Sequence, residues 1–216
     1  MGGSAVQIRV PGAVPDGLTI IETMRADPEG EIALLDRHLA RLRRDCAAVG
    51  FPLDQGDVAR ALATLPRGAV HRVRLTVDAA GQVAVTTQPL DPDPPVWRVA
   101  VSEIRLESAD PWLRIKSSHR PAYDAARAAM PAGCDEVLLM NERGELCEGS
   151  ITSLFIRRGR TLLTPPRACG LLPGILRETL LASGAAREAV LRSGDLEGAD
   201  VLCGNALRGL IPARLI

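Results

Sequence analysis

The stretch QPLDPDPPVW, residues 88–97, sets the plan of the chain. Its four prolines fall within seven residues, a density that neither a helix interior nor a central strand tolerates. It therefore reads as a linker, residues 91–96, between an N-terminal half, 1–90, and a C-terminal half, 97–216. Upstream, LTIIETMRAD, HRVRLTVD and QVAVTTQPL have the β-branched, alternating character of strands, and DAAG supplies a hairpin turn between the last two. Between the first strand and the hairpin, Leu35, Leu39, Leu42, Cys46 and Val49 step by four and three. That spacing predicts one apolar stripe on a helix, ended by Gly50, with a shorter helix in VARALATL. Downstream come a strand in RVAVSEIRL, a helix in PAYDAARAAM opened by proline, and strands in EVLLMN, LCEGSITSLFIRR and TLLTPP. A helix in GILRETLLASG and one last strand in DVLCGNALRGLIPARLI complete the chain. Strands and helices mix without regular alternation, so the expected class is α+β in two halves.

Composition narrows the function classes. The 26 Lys+Arg balance the 26 Asp+Glu, and the aromatic complement is two Trp, one Tyr and two Phe. Neither the charge needed to neutralise a phosphate backbone nor the rings needed to stack bases are present, which argues against nucleic-acid binding. Five scattered cysteines without a CxxC suggest neither a disulfide framework nor a zinc site. His38, His71 and His119 share no metal-like spacing, so no metal is expected. MGGSAVQIRVPGAVPDG lacks the pattern of a signal peptide and no apolar run approaches a membrane span, so a cytoplasmic protein is expected.

One residue stands apart. Lys116, in PWLRIKSSHRPAYDAAR (111–127), is the only lysine; every other basic side chain is arginine. Arginine stays protonated, whereas a lysine amine can be deprotonated and attack a carbonyl, so Schiff-base chemistry requires lysine. A lysine left exposed by chance fits the composition equally well. Glu148 lies where a strand meets a Gly-Ser turn, and CGLLPGILRETLL runs a proline-glycine turn into a helix whose first N–H groups suit a phosphate. Each taken alone also has a plain structural reading.

Taken in order, ETMRADPEGEIALLDRHLARLRRDCAAVGF, IKSSHRPAYDAARA, DEVLLMNERGELCEGSITSLF, LLTPPRACGLLPGILR and GNALRGLIPARL resemble the successive motifs of the class IV (fold type IV) pyridoxal-phosphate enzymes. That family includes branched-chain and D-amino-acid aminotransferases and 4-amino-4-deoxychorismate lyase; the resemblance covers residues 18–216 and is nearest the lyase branch, including lyase-like domains fused to aminodeoxychorismate synthase. It implies two α/β lobes with pyridoxal 5'-phosphate in the cleft between them, a small-molecule substrate, a homodimer and a possible synthase partner. By the same resemblance Lys116 forms the Schiff base and serves as the catalytic base. Glu148 pairs with the pyridine nitrogen, Arg41 holds the phosphate, and Ile175 and Leu176 offer it backbone N–H groups. Ala206 stands where relatives often carry Ser or Thr, leaving only its N–H. Ser153 replaces a usual asparagine, and the segment before ETMR is shorter than in typical members. Tyr123 is the candidate for the hydroxyl that supports the ring oxygen. Asn205, Arg74 and Arg208 are candidates for the substrate carboxylates. The expected reaction is release of 4-aminobenzoate and pyruvate from 4-amino-4-deoxychorismate; the alternatives are a class IV aminotransferase, or an idle member used for binding.

Overall fold

A computed structural model describes Val10 and residues 13–216. The stretch on which the signal-peptide reading rests lies largely outside the described residues. The chain divides into two compact units: Met1–Leu90 with Ile115–His119, and Asp91–Arg114 with Arg120–Ile216. The strip around Lys116, expected with the C-terminal half, thus belongs by its contacts to the first unit.

In the first unit, β1 (Ile20–Ala26), β2 (His71–Val77) and β3 (Val83–Pro89) form an antiparallel sheet in that order. Every second residue of β2, among them Val73, Leu75 and Val77, is buried and the intervening arginines are exposed, the pattern of a sheet covered on one face. Helix α1 (Leu35–Val49) packs on β1, and α2 (Gln55–Leu62) packs beside β3. Gly50, at φ 79°, closes α1 in the left-handed conformation that glycine adopts without strain. Asp54 caps α2 by accepting from Gly56 N–H (2.6 Å) and Asp57 N–H (3.2 Å).

The second unit contains β4 (Trp97–Leu106), α3 (Pro121–Ala128), β5 (Glu136–Asn141), β6 (Leu146–Gly149), β7 (Ser153–Arg158), β8 (Thr161–Thr164), α4 (Ile175–Ala182), β9 (Ala186–Glu188), β10 (Asp200–Asn205) and β11 (Gly209–Leu215). The sheet runs β10-β11-β4-β5-β6-β7-β8-β9, and β10 also pairs with β7. That extra pairing closes a ring from β10 through β11, β4, β5 and β6 to β7, which removes free edges there. One apolar cluster draws on all six ring strands, with Val99, Leu138, Leu146, Leu154, Cys203 and Ile211 among its members. Alternate residues point outward: Val137, Leu139 and Cys147 into a cluster with α3's Ala126, and Phe155 and Leu202 into another with Leu180 and Leu181 of α4.

One expectation is corrected, and one strand is added. The final segment is a hairpin of two strands, because Asn205 accepts from Leu207 N–H (3.1 Å) and Arg208 N–H (2.9 Å) and turns the chain. Three-residue β9 was not read from sequence; it exists through its parallel pairing with β8. No helix among the described residues is long and apolar enough to cross a membrane.

Candidate active site

Helix α1 buries more than its apolar stripe. Leu42, Cys46 and Val49 are buried, but so are His38, Arg41 and Asp45, which follow one another at helical spacing. Their burial is made possible by acids and amides from elsewhere in the unit. Glu22 shares the inward face of β1 with Ile20 and Met24, and is 1% exposed. It accepts from Arg41 Nε–H (2.7 Å) and Nη2–H (2.6 Å), a side-on pair, and lies 2.7 Å from His38 Nδ1. Burial alone would raise the Glu22 carboxyl, but the charge and hydrogen bonds of Arg41, with those of His38, outweigh it and hold the group below its ordinary value.

The Lys116 strip lies along the start of β1. Lys116 C=O accepts from Ile21 N–H (2.8 Å), Ser118 N–H donates to Thr19 C=O (2.9 Å), and Thr19 N–H donates to Ser118 Oγ (2.9 Å). On its other peptide group, Lys116 N–H donates to Asp45 Oδ2 (2.9 Å). Arg41 and Lys116 are therefore linked within one unit: Asp45 holds the lysine's backbone one helical turn from the arginine. Arg74 lies on the exposed face of β2, opposite Thr23 of β1 and Thr86 of β3.

The second unit carries the other candidates. Glu148 is the penultimate residue of β6, and its Oε1 accepts from Tyr123 Oη–H (2.6 Å) and Leu172 N–H (2.9 Å). Burial of the phenol, then the charge of Glu148, pushes the Tyr123 hydroxyl well above its ordinary range, so it stays a donor. The Tyr123 hydroxyl, the candidate for support of a cofactor oxygen, directs its proton to Glu148, because α3 sets the ring against β6. The guanidinium of Arg120 lies 4.9 Å from the Tyr123 ring centroid and donates to Ser150 C=O (2.6 Å).

Behind Glu148, the loop Gly149–Thr152 is moulded on Glu136, a carboxylate at 0% exposure. Glu136 accepts from Ser150 N–H (3.0 Å) and Oγ–H (2.5 Å), Ile151 N–H (3.0 Å) and Thr152 Oγ1–H (2.9 Å). A side chain at 149 would meet Glu136 Oε2 at 2.7 Å, so glycine is required there. The chain runs from Leu172 through Gly174 into α4, whose first turn, beginning Ile175 and Leu176, has no side-chain cap. Gly174 lies so close to Ser153 that an added Cβ would sit 2.7 Å from Ser153 Oγ; Gly204, paired with Ser153, would likewise touch Leu176. Glu148, the start of α4 and the turn holding Ala206 are thus brought together around Ser153.

Two substrate-binding candidates have other partners in this unit. Asn205 uses both acceptor sites of its carbonyl in the turn and donates from Nδ2 to Ile151 C=O (3.2 Å). Arg208 Nη1 donates to Asp93 Oδ1 (2.5 Å), which offsets its charge. Burial pushes the thiols of Cys46 and Cys203 up to about 12, which favours their protonated form.

The sequence matches the class IV amino-transferase family over residues 19–216. The chain belongs to that family. Class IV proteins, the aminotransferases and aminodeoxychorismate lyases, are pyridoxal-phosphate-dependent enzymes, and this chain is one of them. It is similar to the crystal structure of a "Putative amino-acid aminotransferase" from Mesorhizobium loti, with 41% identity and a TM-score of 0.86 over 92% of this chain and 100% of that one. It is 27% identical to a "Putative aminodeoxychorismate lyase" of Schizosaccharomyces pombe over 87% of this chain and 86% of the relative. A "Probable branched-chain-amino-acid aminotransferase" of Thermotoga maritima is 28% identical over 75% of this chain and 62% of its own.

The donor set fits the cofactor of a class IV enzyme. Within the second unit the uncapped α4 N-terminus suits a phosphate and Glu148 suits a protonated ring nitrogen; within the first, Lys116 is a primary amine on a backbone held by Asp45. Sequence reasoning missed Glu22, Asp45 and Glu136. The first and last lie at buried positions of strands, and Asp45 lies four residues beyond Arg41 on the same helix; an acid in such a place is the available signal.

Proposed function

We propose that this class IV enzyme binds pyridoxal 5'-phosphate through Lys116 and cleaves 4-amino-4-deoxychorismate to 4-aminobenzoate and pyruvate. The observation that carries the proposal is the sole lysine of the chain, held at both its backbone N–H and its C=O. When bound, the cofactor supplies an aldehyde for a Schiff base and a ring that draws electrons from the carbon bearing the substrate amine. Glu148, steadied by Tyr123 and Leu172, would pair with the ring nitrogen and favour its protonated form. Ile175 and Leu176 give backbone N–H groups to the phosphate, with Ala206 N–H beside them. Arg41 would add its guanidinium, whose plane Glu22 fixes by holding the Nε–Nη2 edge.

Lys116 Nζ would be the base that takes the proton from the amine-bearing ring carbon. The bond to the enolpyruvyl oxygen then breaks, the ring becomes aromatic, and Lys116 returns a proton to the departing fragment to give pyruvate. Arg74, on the exposed face of β2, and Asn205, which keeps one amide proton beyond its bond to Ile151, are the candidates for the substrate carboxylates. Support for the lyase reading comes from the Schizosaccharomyces pombe relative, whose length the chain nearly spans. The 41% identity to the Mesorhizobium loti protein favours a second reading, amino-group transfer. The two share the proton removal and differ in where the proton goes next.

The deciding assay is formation of 4-aminobenzoate from 4-amino-4-deoxychorismate without added keto acid. Product supports the lyase; its absence, with conversion of the cofactor to its amine form by an ordinary amino acid, supports the aminotransferase. Borohydride reduction followed by peptide mapping must place the cofactor on Lys116, and an unmodified Lys116 overturns both readings. A homodimer and a synthase partner are proposed with them, to be checked by sedimentation of the pure enzyme and of its mixture with the synthase.

A further inference from the structure

Asp45 is a costly residue where it stands. Aspartate is a poor helix former, and this one lies well inside α1 with its side chain 1% exposed. Removing a carboxylate from water costs several kcal/mol unless partners replace the lost hydration. Packing alone would be served by leucine or alanine, which would widen the apolar face made by Leu42, Cys46 and Val49. The partners show what the charge does instead. Oδ1 accepts from the adjacent Arg44, a side chain 40% exposed that water can serve equally well. Oδ2 accepts from Lys116 N–H at 2.9 Å, across 71 residues of sequence. Burial raises the Asp45 carboxyl, and Arg44, the Lys116 N–H and Arg41 oppose that rise.

We propose that Asp45 is the positioning residue of Lys116: it holds the backbone N–H on one side of the lysine Cα while β1 holds the C=O on the other. This rests on the reading of Lys116 as the amine that carries the cofactor. Both peptide groups flanking the Cα are pinned, the first by Asp45 and the second by Ile21 N–H (2.8 Å). The side chain therefore leaves the backbone from a fixed point in a fixed direction. A reacting group so placed avoids much of the orientational entropy that a loop lysine would lose at each encounter. The neighbouring bonds at Ser118 keep the strip in register but lie beyond the first peptide group, which Asp45 holds.

The test compares wild type with Asp45→Asn and Asp45→Ala. Asparagine keeps an oxygen acceptor for the Lys116 N–H, and Arg44 can turn to solvent; alanine removes the acceptor. In the cofactor-free protein, hydrogen exchange at the Lys116 amide should be about tenfold faster in Asp45→Ala and close to wild type in Asp45→Asn, with Val73 and Leu75 of β2 unchanged in both. With cofactor, the rate of borohydride-trapped adduct at Lys116 and kcat should each fall about tenfold in Asp45→Ala with KM little altered, and recover most of the loss in Asp45→Asn. Should the alanine variant fail to fold, Asp45→Cys, with a similar shape and a weak acceptor, takes its place. An alanine or cysteine variant with a wild-type Lys116 amide and wild-type trapping overturns the proposal. Absence of trapping in wild type would instead sink the functional reading, and amide exchange would still judge the anchor by itself.

Discussion

Glu22 in the first unit and Glu136 in the second are both fully enclosed, at 1% and 0% exposure, yet they are kept by opposite means. Glu22 is met by side chains on a rigid element: the Arg41 guanidinium and the His38 imidazole from α1 against an acid on β1. Glu136 is met mainly by dipoles, the N–H and O–H groups of Ser150, Ile151 and Thr152, with Arg127 no nearer than 3.7 Å. The first arrangement aims a cation. The second shapes a loop, since three consecutive residues must turn their donors toward one carboxylate. Both lie behind a residue given a chemical role, Arg41 in one unit and Glu148 in the other.

The contrast can be broken by substitution. Glu22→Gln should be the more damaging, lowering stability to urea by about 3–5 kcal/mol, because it leaves a buried guanidinium without its counter-charge. The same substitution sharpens the comparison through pH. Because the folded Glu22 carboxyl is held below its ordinary value, its contribution is complete above about pH 4.3 and is lost as pH falls through the lowered folded value. Wild type should therefore lose stability on that acid limb, and Glu22→Gln should lose less over the same interval, as read from urea midpoints at successive pH values. Glu136→Gln should cost about 2–3 kcal/mol, since one acceptor oxygen becomes an NH2 group facing other donors. Its mark should be local, with faster hydrogen exchange at Ser150 and Ile151. At the small end, Arg60→Ala removes an exposed pair with Asp57 and should change stability by no more than about 0.5 kcal/mol, which sets the scale for an ion pair in water.

What the sequence discloses follows from how local each signal is. The alternation of HRVRLTV announces β2, and the closing Gly50 announces the end of α1, because both are written in neighbouring residues. The apolar stripe on α1 was legible only in part: Leu35 and Leu39 are half-buried, while His38, Arg41 and Asp45 turn inward. Period alone assigns charged residues to water, and the partners that reverse this, Glu22 and the Lys116 N–H, are distant in sequence. The hairpin of β10 and β11 was hidden because its turn depends on Asn205 folding its side chain back on the backbone. Lys116, Arg41 and Glu148 were legible as residue types in motifs; that Tyr123 serves Glu148 was not, since it depends on how α3 lies against β6.

The solitary lysine has a practical consequence. A lysine-specific endoprotease can cut this polypeptide at one bond only, giving residues 1–116 and 117–216. The residue after that bond, Ser117, is 2% exposed and bridges to Ile20, so the folded chain presents no accessible loop for digestion there. Appearance of the two fragments therefore clocks the lifting of this strip from β1, with one gel band reporting on one hinge.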